Sequence, residues 1–89
     1  MLGLNPSKSD FWFNKGLTLV ELGKYQEALD AYNKALEIDP SNPIKWGKRG
    51  ELLYELGRYQ EALDDFNKVL EIDPSDAIAK HNINVARTE

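Results

Sequence analysis

The chain has 89 residues, 11 Lys plus Arg against 15 Asp plus Glu, a net charge of −4, and no cysteine. Its length bounds it to one small domain, and the missing cysteines exclude a disulfide framework and a thiolate zinc site. Leu, Ile, Val and Phe supply 23 residues, enough for a folded core. The negative charge argues against nucleic acid as a partner, because affinity for phosphate backbones depends on cations.

No apolar run approaches the roughly 18 residues that a membrane-spanning helix needs. The segment 1–6 also lacks the charged and apolar regions of a signal peptide. We therefore expect no membrane partner. A small domain without cysteine fits the cytosol, so the expected location is cytoplasmic.

A 34-residue period organises the sequence. Residues 9–42 laid over residues 43–76 give 20 identities in 34 positions, which defines two complete repeats. Residues 1–8 match the end of a repeat and are expected to be the end of a preceding one or an N-terminal extension. Residues 77–89 match the first half of a repeat and are expected to form a C-terminal capping helix.

The elements follow in chain order from the spacing of apolar residues, which is helical in both halves of each repeat. Gly23 and Gly57 fall between the two halves, where a glycine can end a helix in the left-handed conformation. Asn42 and Asp76 are placed to cap the helices that follow them, and Pro43 to occupy a first turn. The predicted helices are 9–22, 25–38, 43–56, 59–72 and 76–88.

Nine positions of the repeat carry a recognisable pattern. They are Trp12, Gly16, Leu19, Gly23, Tyr25, Ala28, Tyr32, Ala35 and Pro40 in the first repeat, and Trp46, Gly50, Leu53, Gly57, Tyr59, Ala62, Phe66, Val69 and Pro74 in the second. In this order and at this period, these residues resemble the tetratricopeptide repeat (TPR) family. The resemblance implies an all-α fold, a right-handed superhelical solenoid of antiparallel helical hairpins with about five helices here.

Two departures from the family pattern carry expectations of their own. Lys15 and Arg49 stand where the family usually has Leu, and we expect both side chains to extend toward solvent at a helix edge. Val69 replaces a small Ala and is expected to push the second hairpin slightly away from the terminal helix.

The sequence contains no recognisable catalytic, metal-binding or phosphate-binding motif. His81 is the single histidine, and no partner residues for a nucleophilic triad or a metal site stand near it. Asp64 and Asp65 lack the spacing of a calcium loop and are expected to be solvated. No glycine-rich loop is present to bind phosphate. We therefore expect no enzyme activity, no catalytic residues, no metal and no cofactor.

The resemblance places a partner-binding groove on the first helix of each repeat. Family members that bind acidic chaperone tails use a set of basic and amide side chains, and none of the five matching positions here carries it. Glu51, one of those positions, favours an apolar or basic segment instead. If these side chains are instead buried against neighbouring hairpins, they have no binding role. The candidate groove residues are Phe13, Leu17, Val20, Gly47, Glu51, Tyr54, His81 and Val85, flanked by Asn14, Lys48 and Asn82.

These observations favour a protein–protein interaction scaffold that binds a peptide or helix of a partner in the concave groove. The alternative is a self-associating structural fragment of a longer repeat array, forming stacked or helix-swapped homo-oligomers through exposed repeat ends. An RNA-binding helical repeat is the least favoured alternative.

Overall fold

The computed structural model describes residues 6–88, and over this part of the chain the structure is helical with no strand. The predicted all-α fold class is therefore confirmed. Residues 1–5 of the segment predicted to end a preceding repeat, and Glu89, lie outside the described residues. Among the helices of residues 6–88, none combines the length and apolar character needed to cross a bilayer. The helices are α1 (Pro6–Glu21), α2 (Tyr25–Ile38), α3 (Pro43–Glu55), α4 (Tyr59–Ile72) and α5 (Ala77–Arg87).

The start of α1 differs from the prediction, because the helix begins at Pro6 rather than at residue 9. In the second repeat, Pro43 stands at the position of Ser9, and α3 begins there. A proline has no N–H and fits only the first turn of a helix. Since Ser9 imposes no such limit, the first helix extends back to Pro6. The other helix ends lie within one residue of the predicted ends.

The helices form two compact units that divide between Ser41 and Asn42. The first unit is the hairpin of α1 and α2. Gly23 adopts a φ of 78°, and the next amide, that of Lys24, donates to the carbonyl of Leu19 at 2.9 Å. These are features of a helix ending in the Schellman motif. The left-handed turn predicted at Gly23 is confirmed.

Small residues allow α1 and α2 to approach each other closely. A Cβ atom added to Gly16 would lie 2.5 Å from the ring of Tyr32, so a side chain there would overlap the ring. Ala28 is completely buried. The hydroxyl of Ser9, also completely buried, donates to the carbonyl of Ala35 at 2.8 Å. This bond links the first turns of α1 to the last turn of α2.

The second unit begins with the hairpin of α3 and α4, which repeats these features. Gly57 has a φ of 79°, and the amide of Arg58 donates to the carbonyl of Leu53 at 2.8 Å. A Cβ atom on Gly50 would lie 2.6 Å from Cε1 of Phe66. The same crossing geometry therefore occurs in both repeats.

The third helix of this unit, α5, contacts α4 and has Ala79 and Ala86 buried. The side chain of Asp76 accepts a hydrogen bond from the Ala79 amide at 3.0 Å. At the start of α3, the side chain of Asn42 accepts one from the Ile44 amide at 2.8 Å. Both predicted N-caps are therefore confirmed.

A buried ion pair joins α3 and α4. Nε and Nη2 of Arg49 donate to Oδ2 and Oδ1 of Asp65 at 2.8 and 2.7 Å, and the Asp65 side chain is only 4% exposed. The guanidinium also lies 5.0 Å from the ring centre of Trp46. The predictions of a solvated Asp65 and of an Arg49 extended toward solvent are wrong, because the two groups meet across the helix interface. Burial raises the pKa of the Asp65 carboxyl, although the hydrogen bond from Arg49 opposes this shift.

Candidate partner-binding site

The predicted site residues of the first unit lie on α1. Phe13, Leu17 and Val20 are all half-buried. The ring of Phe13 lies 5.5 Å from the ring of Tyr32 on α2, with the planes tilted by 34°. Phe13 therefore packs within its own hairpin while part of its surface stays accessible.

A pocket of about 170 Å³ opens in the second unit between α3, α4 and α5. Its buried floor consists of Phe66, Val69 and Ala79. Two predicted site residues, Gly47 and Glu51, line the pocket together with both of the predicted flanking residues of this unit, Lys48 and Asn82. The other lining residues are Pro43, Ile44, Asp76 and Ile78.

The remaining predicted residues of this unit do not line the pocket. The ring of Tyr54 lies 5.1 Å from the ring of Tyr59 on α4. Both residues flank the turn that joins α3 to α4. His81 is exposed and Val85 is half-buried on α5. The structure therefore brings Gly47 and Glu51 together at one pocket, and leaves the other three as separate surface positions on α3 and α5.

Sequence reasoning missed the two most exposed apolar residues of the pocket. Ile44 is 62% exposed and Ile78 is 69% exposed, and each is the second residue of its helix. The two are 34 positions apart in the sequence, so they occupy the same position of the repeat. The repeat period itself was therefore the signal that could have identified them.

Gly47 lines the pocket and brings no side chain into it. A Cβ atom added to Gly47 would meet a single neighbour, Cγ2 of Val69 at 3.7 Å, which is an ordinary van der Waals contact. Val69, expected to act on the terminal helix through its bulk, thus also faces the space that Gly47 leaves open. Both residues line the apolar part of the pocket, which is open to solvent.

The charged groups at the pocket come from α3 and from the cap of α5. Nζ of Lys48 lies 3.6 Å from Oε1 of Glu51, and both side chains are about half exposed. The Asp76 carboxylate is engaged by the amide of Ala79. Of the described residues, one cation and two carboxylates therefore line the pocket, an excess of one negative charge.

The described residues contain no group of three or more His, Cys, Asp or Glu side chains placed to hold a metal ion. The lining of the pocket is an apolar floor with a few charged and amide groups at its edge. Such an arrangement can bind an apolar group and orient it through polar contacts at the rim.

Three comparisons place this fold among known proteins. A curated relative, the uncharacterized protein MJ0572 of Methanocaldococcus jannaschii, is 44% identical to this chain over 36 residues. The matched segment covers 40% of this chain and 42% of the length of that relative. The solved structure of the first TPR of Spaghetti (RPAP3) bound to the HSP90 peptide SRMEEVD has a TM-score of 0.91 and 27% identity, covering 99% of this chain and 70% of that one. The Sgt2 TPR domain from Aspergillus fumigatus has a TM-score of 0.85 and 28% identity, covering 97% of this chain and 56% of that one.

The tetratricopeptide repeat model matches residues 9–42 and 43–76. These two matches cover more than half of the chain, and they coincide with the hairpins α1–α2 and α3–α4. The resemblance drawn from the recurring Trp, Gly, Tyr, Ala and Pro residues is confirmed, and the chain belongs to the tetratricopeptide repeat family.

Proposed function

We propose that this chain is a protein-interaction module that binds a peptide or helix of a partner protein through the first helices of its repeats. The observation that carries the proposal is the pocket of the second unit, with its apolar floor and the exposed side chains of Ile44 and Ile78 at its edge. Exposed apolar side chains around a concave site are typical of interaction surfaces. The solved relative with a bound HSP90 peptide supports a peptide as the kind of partner.

The distribution of identical residues between the repeats supports the same assignment. Of the 20 identities, only Trp12/Trp46, Gly16/Gly50 and Leu19/Leu53 fall within residues 9–20 and 43–54. Apart from Glu21/Glu55 at the ends of α1 and α3, the remaining identities lie in the turns, the second helices and the connections. Packing therefore constrains the second helices closely and leaves most positions of α1 and α3 unspecified, so these are the positions available for partner contacts.

We propose that the partner segment is apolar or basic rather than acidic. Glu51 and Asp76 outnumber Lys48 at the pocket, and the chain carries a net charge of −4. Like charges across an interface oppose binding, so a carboxylate-rich tail fits this site poorly. A single short peptide on so small a surface is expected to bind with a Kd of about 1 μM, or about −8 kcal/mol.

Selection from a library of random displayed peptides tests the proposal. We expect selected peptides to be rich in apolar and basic residues and to lose affinity severalfold on Glu51→Lys. Glu37→Lys, which makes the same charge change on an exposed position of α2, is the matched control and should leave affinity unchanged. A selection that yields no saturable binder, or that yields acidic peptides, contradicts the proposal.

Self-association is a second candidate, favoured by a separate observation on α1 and on the turn that follows it. Phe11 and Leu22 are 61% and 64% exposed, more apolar surface than a solvated helix needs. A second copy of the chain could cover these side chains. Light scattering across a wide concentration range should then detect a dimer or larger species that Phe11→Ser with Leu22→Ser converts to monomer. A monomer at every concentration excludes this candidate.

A further inference from the structure

The two hairpins differ at the position that decides whether a pocket exists. Phe13 and Gly47 are equivalent across the 34-residue offset, and so are Tyr32 and Phe66. In the first hairpin the ring of Phe13 lies 5.5 Å from that of Tyr32. In the second hairpin there is no side chain at Gly47, and an open pocket lies over Phe66. The first hairpin thus supplies from its own chain a ring that the second hairpin lacks.

We propose that the pocket of the second unit binds an aromatic side chain of the partner, in the place that the Phe13 ring occupies in the first hairpin. This inference rests on the proposed function and names the residue class that the site recognises. The volume of about 170 Å³ is appropriate, because apolar cavities of about 150 Å³ accept benzene. Phe66 at the floor offers the ring partner that an aromatic side chain prefers over an aliphatic one.

The charged residues at the rim of the pocket favour a second feature of the partner segment, a basic residue. Glu51 reaches solvent with about half of its side chain exposed, and Lys48 contacts it at 3.6 Å. Asp76 supplies the other carboxylate, and among residues 6–88 no further charged residue lines the pocket. A lysine or arginine next to the aromatic residue would place its cation near this excess of negative charge. The partner motif is therefore an aromatic residue with a basic neighbour.

Three capped peptides of equal length test the motif directly. Their central sequences are Lys-Phe-Lys, Lys-Ala-Lys and Glu-Phe-Glu, and the readout is the methyl NMR signals of Ile44 and Ile78. We expect Lys-Phe-Lys to shift both signals saturably with a Kd of about 1 mM, a value reasonable for one anchored ring. The other two peptides should bind at least about tenfold more weakly. Equal shifts from Lys-Phe-Lys and Lys-Ala-Lys would overturn the inference.

Substitutions at Gly47 provide the second test. Gly47→Phe restores the residue of the first hairpin and should fill the pocket, weakening Lys-Phe-Lys by at least about tenfold. Gly47→Ala adds only a methyl group in ordinary contact with Val69, and should bind within about threefold of the unchanged chain. Thermal unfolding and the dispersion of the NMR spectrum establish that Gly47→Phe is folded. A folded Gly47→Phe that binds the peptide normally would overturn the inference.

The two proposals fail in different ways. If peptides selected from the random library bind tightly but ignore Gly47→Phe, partner binding stands and the aromatic pocket is wrong. If the library yields no binder, the proposed function itself fails.

Discussion

A pair of identical substitutions on α3 tests the packing of the second hairpin. Gly47 and Gly50 stand one turn apart in the same helix. A Cβ atom at Gly47 meets only Cγ2 of Val69 at 3.7 Å, whereas one at Gly50 would lie 2.6 Å from Cε1 and 2.9 Å from Cδ1 of Phe66. Changing each to alanine therefore adds the same methyl group to an open site and to an occupied one.

Both variants gain the same helix propensity from alanine. The difference between their free energies of unfolding therefore measures the steric cost at Gly50. Glycine to alanine inside a helix stabilises by about 0.5–1 kcal/mol, and this gain should appear in full for Gly47→Ala. At Gly50 the ring of Phe66, a residue that is 2% exposed and lines the pocket, must move to make room for the methyl group. Overpacking of this kind costs about 1–3 kcal/mol. Gly50→Ala should therefore be less stable than Gly47→Ala by about 1–3 kcal/mol.

Thermal and urea unfolding followed by far-UV circular dichroism measure this difference. For a domain of this size, each kcal/mol shifts Tm by about 4–8 °C, so the two variants should differ by at least about 4 °C. Gly47→Ala should unfold above the unchanged chain. A Gly50→Ala variant as stable as Gly47→Ala would refute the reasoning, because it would mean that the ring of Phe66 yields without cost.

The remaining predictions concern the ion pair and the helix caps. Asp65→Ala leaves the mostly buried guanidinium of Arg49 unpaired and should cost about 3 kcal/mol in urea unfolding, while adding Arg49→Leu should restore most of that loss. Because burial raises the pKa of Asp65, the folded chain binds this proton more tightly than the unfolded chain does, so the free energy of unfolding should fall as pH rises from the ordinary aspartate pKa through the raised value. An NMR titration of its carboxyl carbon should accordingly give a midpoint above 3.8. Asn42→Ala and Asp76→Ala each remove an N-cap and should each cost about 1 kcal/mol by the same unfolding assay, with no change in helix register.

The hairpins could be predicted from sequence because their determinants are local or repeated. The turns at Gly23 and Gly57 and the caps at Asn42 and Asp76 depend on residues within a few positions of one another. The helical segments between these turns and caps could be predicted from the spacing of their apolar residues. The start of α1 at Pro6 could not be placed from the repeat, because the second repeat has a proline at the position where the first has Ser9.

The ion pair and the pocket depend on contacts between helices, which local patterns do not specify. Arg49 and Asp65 are 16 residues apart, and neither residue indicates from its neighbours that it faces the other. The two repeats differ at both positions. The first repeat has Lys15 and Ala31 at the equivalent positions. Only the second repeat therefore has a buried carboxylate at this position, that of Asp65, and Arg49 pairs with it.

A second difference between the repeats lies at the pocket. The first repeat combines Phe13 with Ala35, and the second combines Gly47 with Val69. The valine side chain has two more carbon atoms than that of alanine, and its Cγ2 lies 3.7 Å from the site of a Cβ on Gly47. Two methyl groups occupy less volume than a phenyl ring, so space remains over the floor of the second hairpin. Dense packing alone would favour filling it, and an open apolar pocket at that point therefore favours a ligand over a structural role.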